Sequence, residues 1–168
     1  MRTTIRAGYI ALGFLGAACS RPQVPVMDVP AGWIELRAHN DFTLYAPPGT
    51  IFHDGQGAGS FVGRFDGANF FMTFDYGGQP ISSIAELDDQ NHHIEHFGVG
   101  GQLVQLAIDP SQGQQDCAQG KEVATVSMRG TGRNQTGQPN LLTILACMDN
   151  SSQTGTVRSI VRTIRFLN

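Results

Sequence analysis

Apolar and polar side chains alternate along much of this chain. Phe70, Met72 and Phe74 fall on one side of a two-residue period, and Phe71, Thr73 and Asp75 on the other. That is the signature of a strand with one face in a core. The same reading predicts strands over 33–36, carried by Trp33, Ile34 and Leu36, and over 42–46, stopped by Pro47-Pro48-Gly49 because proline cannot donate to a ladder. Strands over 60–65 and 69–76 flank Asp66-Gly67-Ala68, a short glycine-containing connection of hairpin type. A further pair runs over 93–97 and 103–108 around the glycines of Gly98-Val99-Gly100-Gly101, and a last pair over 122–128 and 141–148 leaves the polar stretch 129–140 as a mobile hairpin loop.

Two segments change period. A helical turn is expected over 81–91, with Ser82 or Ser83 as cap and Glu86 completing a capping box. The best helix covers 151–166, where Val157, Ile160, Val161 and Ile164 recur at i, i+3, i+4 and i+7, and Ser152 or Thr154 can cap its start. A curved antiparallel sheet with this C-terminal amphipathic helix packed on one face buries both apolar surfaces, so the expected fold class is α+β. The order of short strands, a late hairpin and a closing helix ending Ser-Ile-Val-Arg-Thr-Ile-Arg-Phe resembles the PsbP-like α/β/α domains across 33–166. That resemblance implies a binding or assembly role and transfers no functional residues.

Residues 1–18 have a different character. Arg2 and Arg6 precede an apolar run over 7–15 and the small residues Gly16-Ala17-Ala18, directly before Cys19. The run is short of the roughly 20 apolar residues that a membrane-spanning helix needs, so it reads as an export signal. It resembles a bacterial lipoprotein signal, with Leu15 one position early and Gly16 at minus three from the cysteine. The resemblance implies lipidation of Cys19, and Ser20 after it tilts the address toward the outer membrane, facing the periplasm. Ordinary secretion with cleavage after Ala17 or Ala18 is the alternative. Residues 19–32, with Pro22, Pro25 and Pro30, then form an extended tether, and 33–168 a single domain.

Without the signal the chain carries 9 basic and 14 acidic residues, a formal charge of −5, and Lys121 is its only lysine. Nucleic-acid binding, which draws its affinity from concentrated basic surface, is not expected. The implied partners are the membrane, through the anchor, and another envelope protein. No residue pattern calls for a cofactor.

Cys117 and Cys147 are the remaining cysteines. A hairpin register pairing Glu122 with Leu142 would set them opposite each other, and in an oxidising envelope a structural disulfide follows. A redox pair and a metal site are the alternatives, but C-x-x-C spacing and a four-ligand zinc pattern are both missing. The densest set of possible metal ligands is Asp88, Asp89, His92, His93, Glu95 and His96. His92 and His96 share a face on either a helix or a strand, where His93 would lie opposite, so the run offers two imidazoles and no third ligand of His-Glu-x-x-His type. Weak metal binding at His92, His93 and His96 therefore competes with a solvated strand edge.

Ser60 lacks a Gly-x-Ser-x-Gly elbow and reads as a strand start. Asp75 and Tyr76 could mark a ligand cleft or simply close a strand. Arg158, Arg162 and Arg165 would share one helical stripe, free to meet anionic headgroups or a partner carboxylate. No catalytic set assembles from these residues. The expectation is a lipid-anchored envelope protein with a non-catalytic binding or assembly role; the rivals are a metal-binding envelope module and a hydrolase with an unrecognised site.

Overall fold

The computed structural model describes residues 28–57, 59–77, 93–109, 117, 122–133 and 137–167. Among the described residues ten strands and one short helix follow in chain order: β1 (Ile34–Ala38), β2 (Phe42–Ala46), β3 (Ile51–Gln56), β4 (Phe61–Asp66), β5 (Phe70–Tyr76), β6 (His93–Val99), β7 (Gln102–Asp109), β8 (Glu122–Arg133), β9 (Pro139–Met148), a 3-10 turn (Ser151–Gln153), α1 (Thr154–Arg162) and β10 (Arg165–Phe166). The expected 81–91 helix lies outside the described residues, as do residues 1–27 with Cys19.

Two open antiparallel sheets replace the single curved sheet that the pattern predicted. The larger has the order β3-β4-β5-β9-β8-β7-β6 and the smaller β1-β2-β10. Local hairpins build both halves of the large sheet. One non-local pairing joins them, Phe70 opposite Met148 through Tyr76 opposite Leu142. At the β6–β7 hairpin the chain reverses through Gly100 and Gly101, both at positive φ (56° and 83°), as a type I′ turn requires.

One face of the large sheet makes the core. Phe70, Met72, Phe74 and Tyr76 of β5 line up with Leu142, Ile144, Ala146 and Met148 of β9, Ala124, Val126 and Met128 of β8, and Val104, Leu106 and Ile108 of β7. Above them lies a second layer composed of the small sheet and α1. β1 rests against β3 at one end, and α1 reaches β6 at the other. Phe42 sits at the junction, within 5.1 Å of the Phe74 ring and 6.3 Å of Phe166, and is fully buried. Gly63 makes room here, since a Cβ would stand 2.7 Å from the Phe74 ring. On the hairpin between β1 and β2, His39 adopts a left-handed backbone (φ 49°). Its ring lies 4.4 Å from that of Phe61 and its Nε2 lies 3.0 Å from an Asp54 oxygen, tying the small sheet to the large one.

The helix is shorter than its apolar period. Val157, Ile160, Val161 and Ile164 are all buried, as the period predicted, but α1 ends at Arg162 and the chain turns into β10. Thr163 explains the stop. Its hydroxyl donates to the Ile160 carbonyl (2.6 Å) and accepts from the Tyr45 amide (2.8 Å), so the helix end is spliced onto the edge of β2 where β10 then pairs. The N-terminal cap also differs from expectation. Asn150 accepts from the Ser152 amide (3.0 Å) and caps the 3-10 turn, while α1 itself has no side-chain cap.

The last hairpin is longer and differently registered than predicted. Residues 129–133 and 139–140, read as loop, are strand, and Val123 faces Cys147 where the expected register had Cys117.

Candidate functional site

Two features that are far apart in the sequence meet at the edge of the large sheet. β6 is the edge strand, and its odd positions, His93, Glu95, Phe97 and Val99, face the layer containing α1; Phe97 and Val99 pack on the core there. Arg158 of α1 clasps Glu95 with two parallel hydrogen bonds, from Nε to Oε2 at 2.6 Å and from its terminal nitrogen to Oε1. Bidentate geometry of this kind is the strongest arginine–carboxylate arrangement. His93 approaches the same carboxylate at 3.4 Å, and the Arg162 guanidinium lies 5.0 Å from the centre of the Phe97 ring.

This cluster locks a helix onto a strand. The hydrogen bonds from Arg158, and after them its charge and that of His93, hold the Glu95 carboxyl below its ordinary value of 4.5 against a desolvation penalty that works the other way. The same bond raises Arg158. Both groups are therefore ionised and matched at neutral pH, which makes Glu95 a poor general base and a poor metal ligand. The stripe of three arginines does not form, because Arg165 belongs to β10 and only Arg158 and Arg162 are helical.

The histidine run takes the strand alternative. His93 and His96 are three residues apart on β6 and so project from opposite faces, which keeps them from sharing one ion. His92, Asp88 and Asp89 lie outside the described residues. Among the described residues no three His, Cys, Asp or Glu side chains are grouped to hold a metal.

Cys117 and Cys147 are placed as a disulfide, with Cα atoms 5.7 Å apart. The bridge does not arise from the expected register. Cys117 precedes β8 and reaches the outer face of the large sheet, where the two sulfurs are buried with Val123 and Leu145 against Phe71. A small second core results, on the far side of the sheet from the main one.

Asp75 and Tyr76 end β5 and part company. Tyr76 turns into the core and donates its hydroxyl to the Thr131 carbonyl at 2.7 Å. Asp75 stands on the outer face. Its Oδ1 is buried and has no hydrogen-bond partner among the described residues. Ser60 immediately precedes β4, as a strand start should.

Sequence reasoning missed what lies beside Asp75. Following the register outward, Asp75 faces Thr143, Thr143 faces Ser127, Ser127 faces Gln105, and Gln105 faces His96. Five polar residues on five strands thus form one transverse row on the outer face. The signal for it, a polar residue at the outward phase of each strand, becomes readable only when the strand order and register are known. No family model, curated protein or solved structure matches this chain.

Proposed function

We propose that this chain is a lipid-anchored protein of the cell envelope, held on the outer membrane facing the periplasm, whose domain binds or stabilises another component there without catalysing a reaction. The observation that carries this reading is the convergence of Arg2, Arg6, the apolar run 7–15 and Gly16-Ala17-Ala18 on Cys19. Two acyl chains on that sulfur make attachment effectively permanent, since each buried methylene contributes about 0.8 kcal/mol. The placement of Cys117 and Cys147 as a disulfide suits an oxidising compartment. The mutual neutralisation of Glu95 and Arg158 supports a structural use for this partly buried ion pair, and the PsbP-like outline supports binding over catalysis.

Metabolic labelling with an alkyne fatty acid tests the anchor. The native protein is expected to label and Cys19→Ser to lose the label. Labelling that survives Cys19→Ser, or a native protein that never labels, would sink the proposal. Co-purification of a discrete envelope component with the detergent-extracted, labelled protein is the expected second result.

A further inference from the structure

The outer face of the large sheet holds a carboxylate oxygen, Asp75 Oδ1, that no group among the described residues satisfies. Burial of a carboxylate oxygen is costly unless it is hydrogen-bonded. Asp75 has no such compensation at Oδ1 among the described residues. Its diagonal neighbour on β4, Arg64, is the nearest outer-face cation in register, but that guanidinium bonds Asp66 and lies 3.9 Å from the centre of the Phe71 ring. The positive charge at hand is already committed.

The row leading away from Asp75 has a graded depth. Thr143 next to it is buried (4 % exposed), Ser127 and Gln105 are half-buried, and His96 on the edge strand is exposed. Adjacent strands are about 4.8 Å apart, so the row extends about 19 Å from β5 to β6. Its members are two hydroxyls, an amide and an imidazole, each able to donate and to accept. Asp75 itself remains partly exposed.

The chemistry of this set selects a ligand. A calcium ion takes 6–8 oxygens, commonly several of them carboxylates, and one acid with two hydroxyls does not supply them. An anion is repelled. A donor that is itself positively charged restores what Asp75 lacks, and charge-assisted hydrogen bonds are about twice as strong as neutral ones. We propose that this row is a binding furrow for a polar organic amine, its ammonium group on Asp75 and its hydroxylated body along Thr143, Ser127, Gln105 and His96. The proposal rests on the binding role inferred above and names the ligand class for it.

Calorimetry on the full-length, detergent-extracted protein decides the matter with glucosamine as the probe and glucose as its uncharged counterpart. Glucosamine is expected to bind saturably, and glucose at least about tenfold more weakly. Asp75→Asn keeps the side-chain shape, removes the carboxylate, and should weaken glucosamine by at least about tenfold while melting no lower than wild type, since no group among the described residues bonds Oδ1. That combination separates a ligand site from a structural acid, whose loss would lower the melting temperature. Gln105→Ala and Ser127→Ala should each weaken binding by about two- to fivefold. Absence of saturable glucosamine binding, equal binding of glucose, or undiminished binding by Asp75→Asn would overturn the furrow. A calcium heat that vanishes in Asp75→Asn would overturn it as well, reassigning the site to a metal. These failures leave the fatty-acid label and the co-purifying component untouched, so the broader reading falls only on its own tests.

Discussion

The two faces of the large sheet are made by the same strands and obey different rules. On the inner face the positions in phase with Phe74 are apolar through β5, from Ala124 to Met128 of β8 and from Leu142 to Met148 of β9, and the rings of Phe42, Phe65, Phe74 and Tyr76 crowd together there. On the outer face, one residue out of phase, the disulfide of a small core lies two rows away from a carboxylate that has no partner at Oδ1 among the described residues. The inner face is closed by the small sheet and α1 and is explained by burial alone. The outer face contains groups that burial opposes, and proteins retain such groups where they serve binding.

The largest effect should come from the inner face. Phe42 bridges the two layers through four ring contacts and is fully buried. Phe42→Ala is expected to destabilise by about 3–5 kcal/mol, combining lost transfer energy with a cavity that neighbouring rings cannot fill. Denaturant unfolding measures it. A loss near the surface-substitution range would mean that the small sheet is not part of the cooperative core.

The outer core should rank next. The cysteines close a loop with a sequence separation of 30, so Cys117→Ala with Cys147→Ala should cost about 3–4 kcal/mol in the chain-entropy account. Non-reducing peptide mapping, followed by thermal unfolding of the double variant, checks both the bond and its weight. Recovery of both residues as free thiols from protein matured in the envelope would leave the outer face without a core of its own.

How much of this was readable beforehand depends on how local each signal is. β2, the β4–β5 hairpin and the β6–β7 hairpin follow from alternation and from glycines within a few residues, and all three are present. β3 shows no strand period in the sequence, because Ile51-Phe52-His53-Asp54-Gly55-Gln56 is an edge strand whose polar residues hide it. The end of β8 has the sequence character of a loop, because Arg129-Gly130-Thr131-Gly132-Arg133 is polar and glycine-rich. It is a strand all the same, because its backbone pairs across the hairpin and the Tyr76 hydroxyl bonds the Thr131 carbonyl. The Glu95–Arg158 clasp spans 63 residues, and the outer polar row needs five strands in register. No window of sequence contains either one.

That clasp gives an intermediate effect and a pH dependence. Arg158→Ala should destabilise by about 1.5–3 kcal/mol, the range for hydrogen bonds to a charged partner. Because the folded Glu95 carboxyl sits below its ordinary value of 4.5, its contribution is complete above that value and is lost as pH falls through the lowered folded value. Stability measured from pH 7 down to 3 should therefore fall less steeply in Glu95→Gln than in the native protein. Parallel acid limbs for the two would show that the clasp is too hydrated to matter.

The smallest effect makes the sharpest contrast, because it compares neighbours on one strand. Leu106 of β7 points into the inner core and is fully buried, whereas Gln105 points outward within the polar row and is half-buried. Leu106→Ala should cost about 2–5 kcal/mol. Gln105→Ala should stay within about 0.5 kcal/mol, since the side chain fills no cavity and its loss strands no buried partner. The pair shares one stretch of backbone on one strand, so the difference isolates the face. A Gln105→Ala loss comparable to that of Leu106→Ala would mean that the outer row is a packed structural network. A near-zero loss, together with weakened amine binding in the same variant, assigns the row to a ligand and the inner face to the fold.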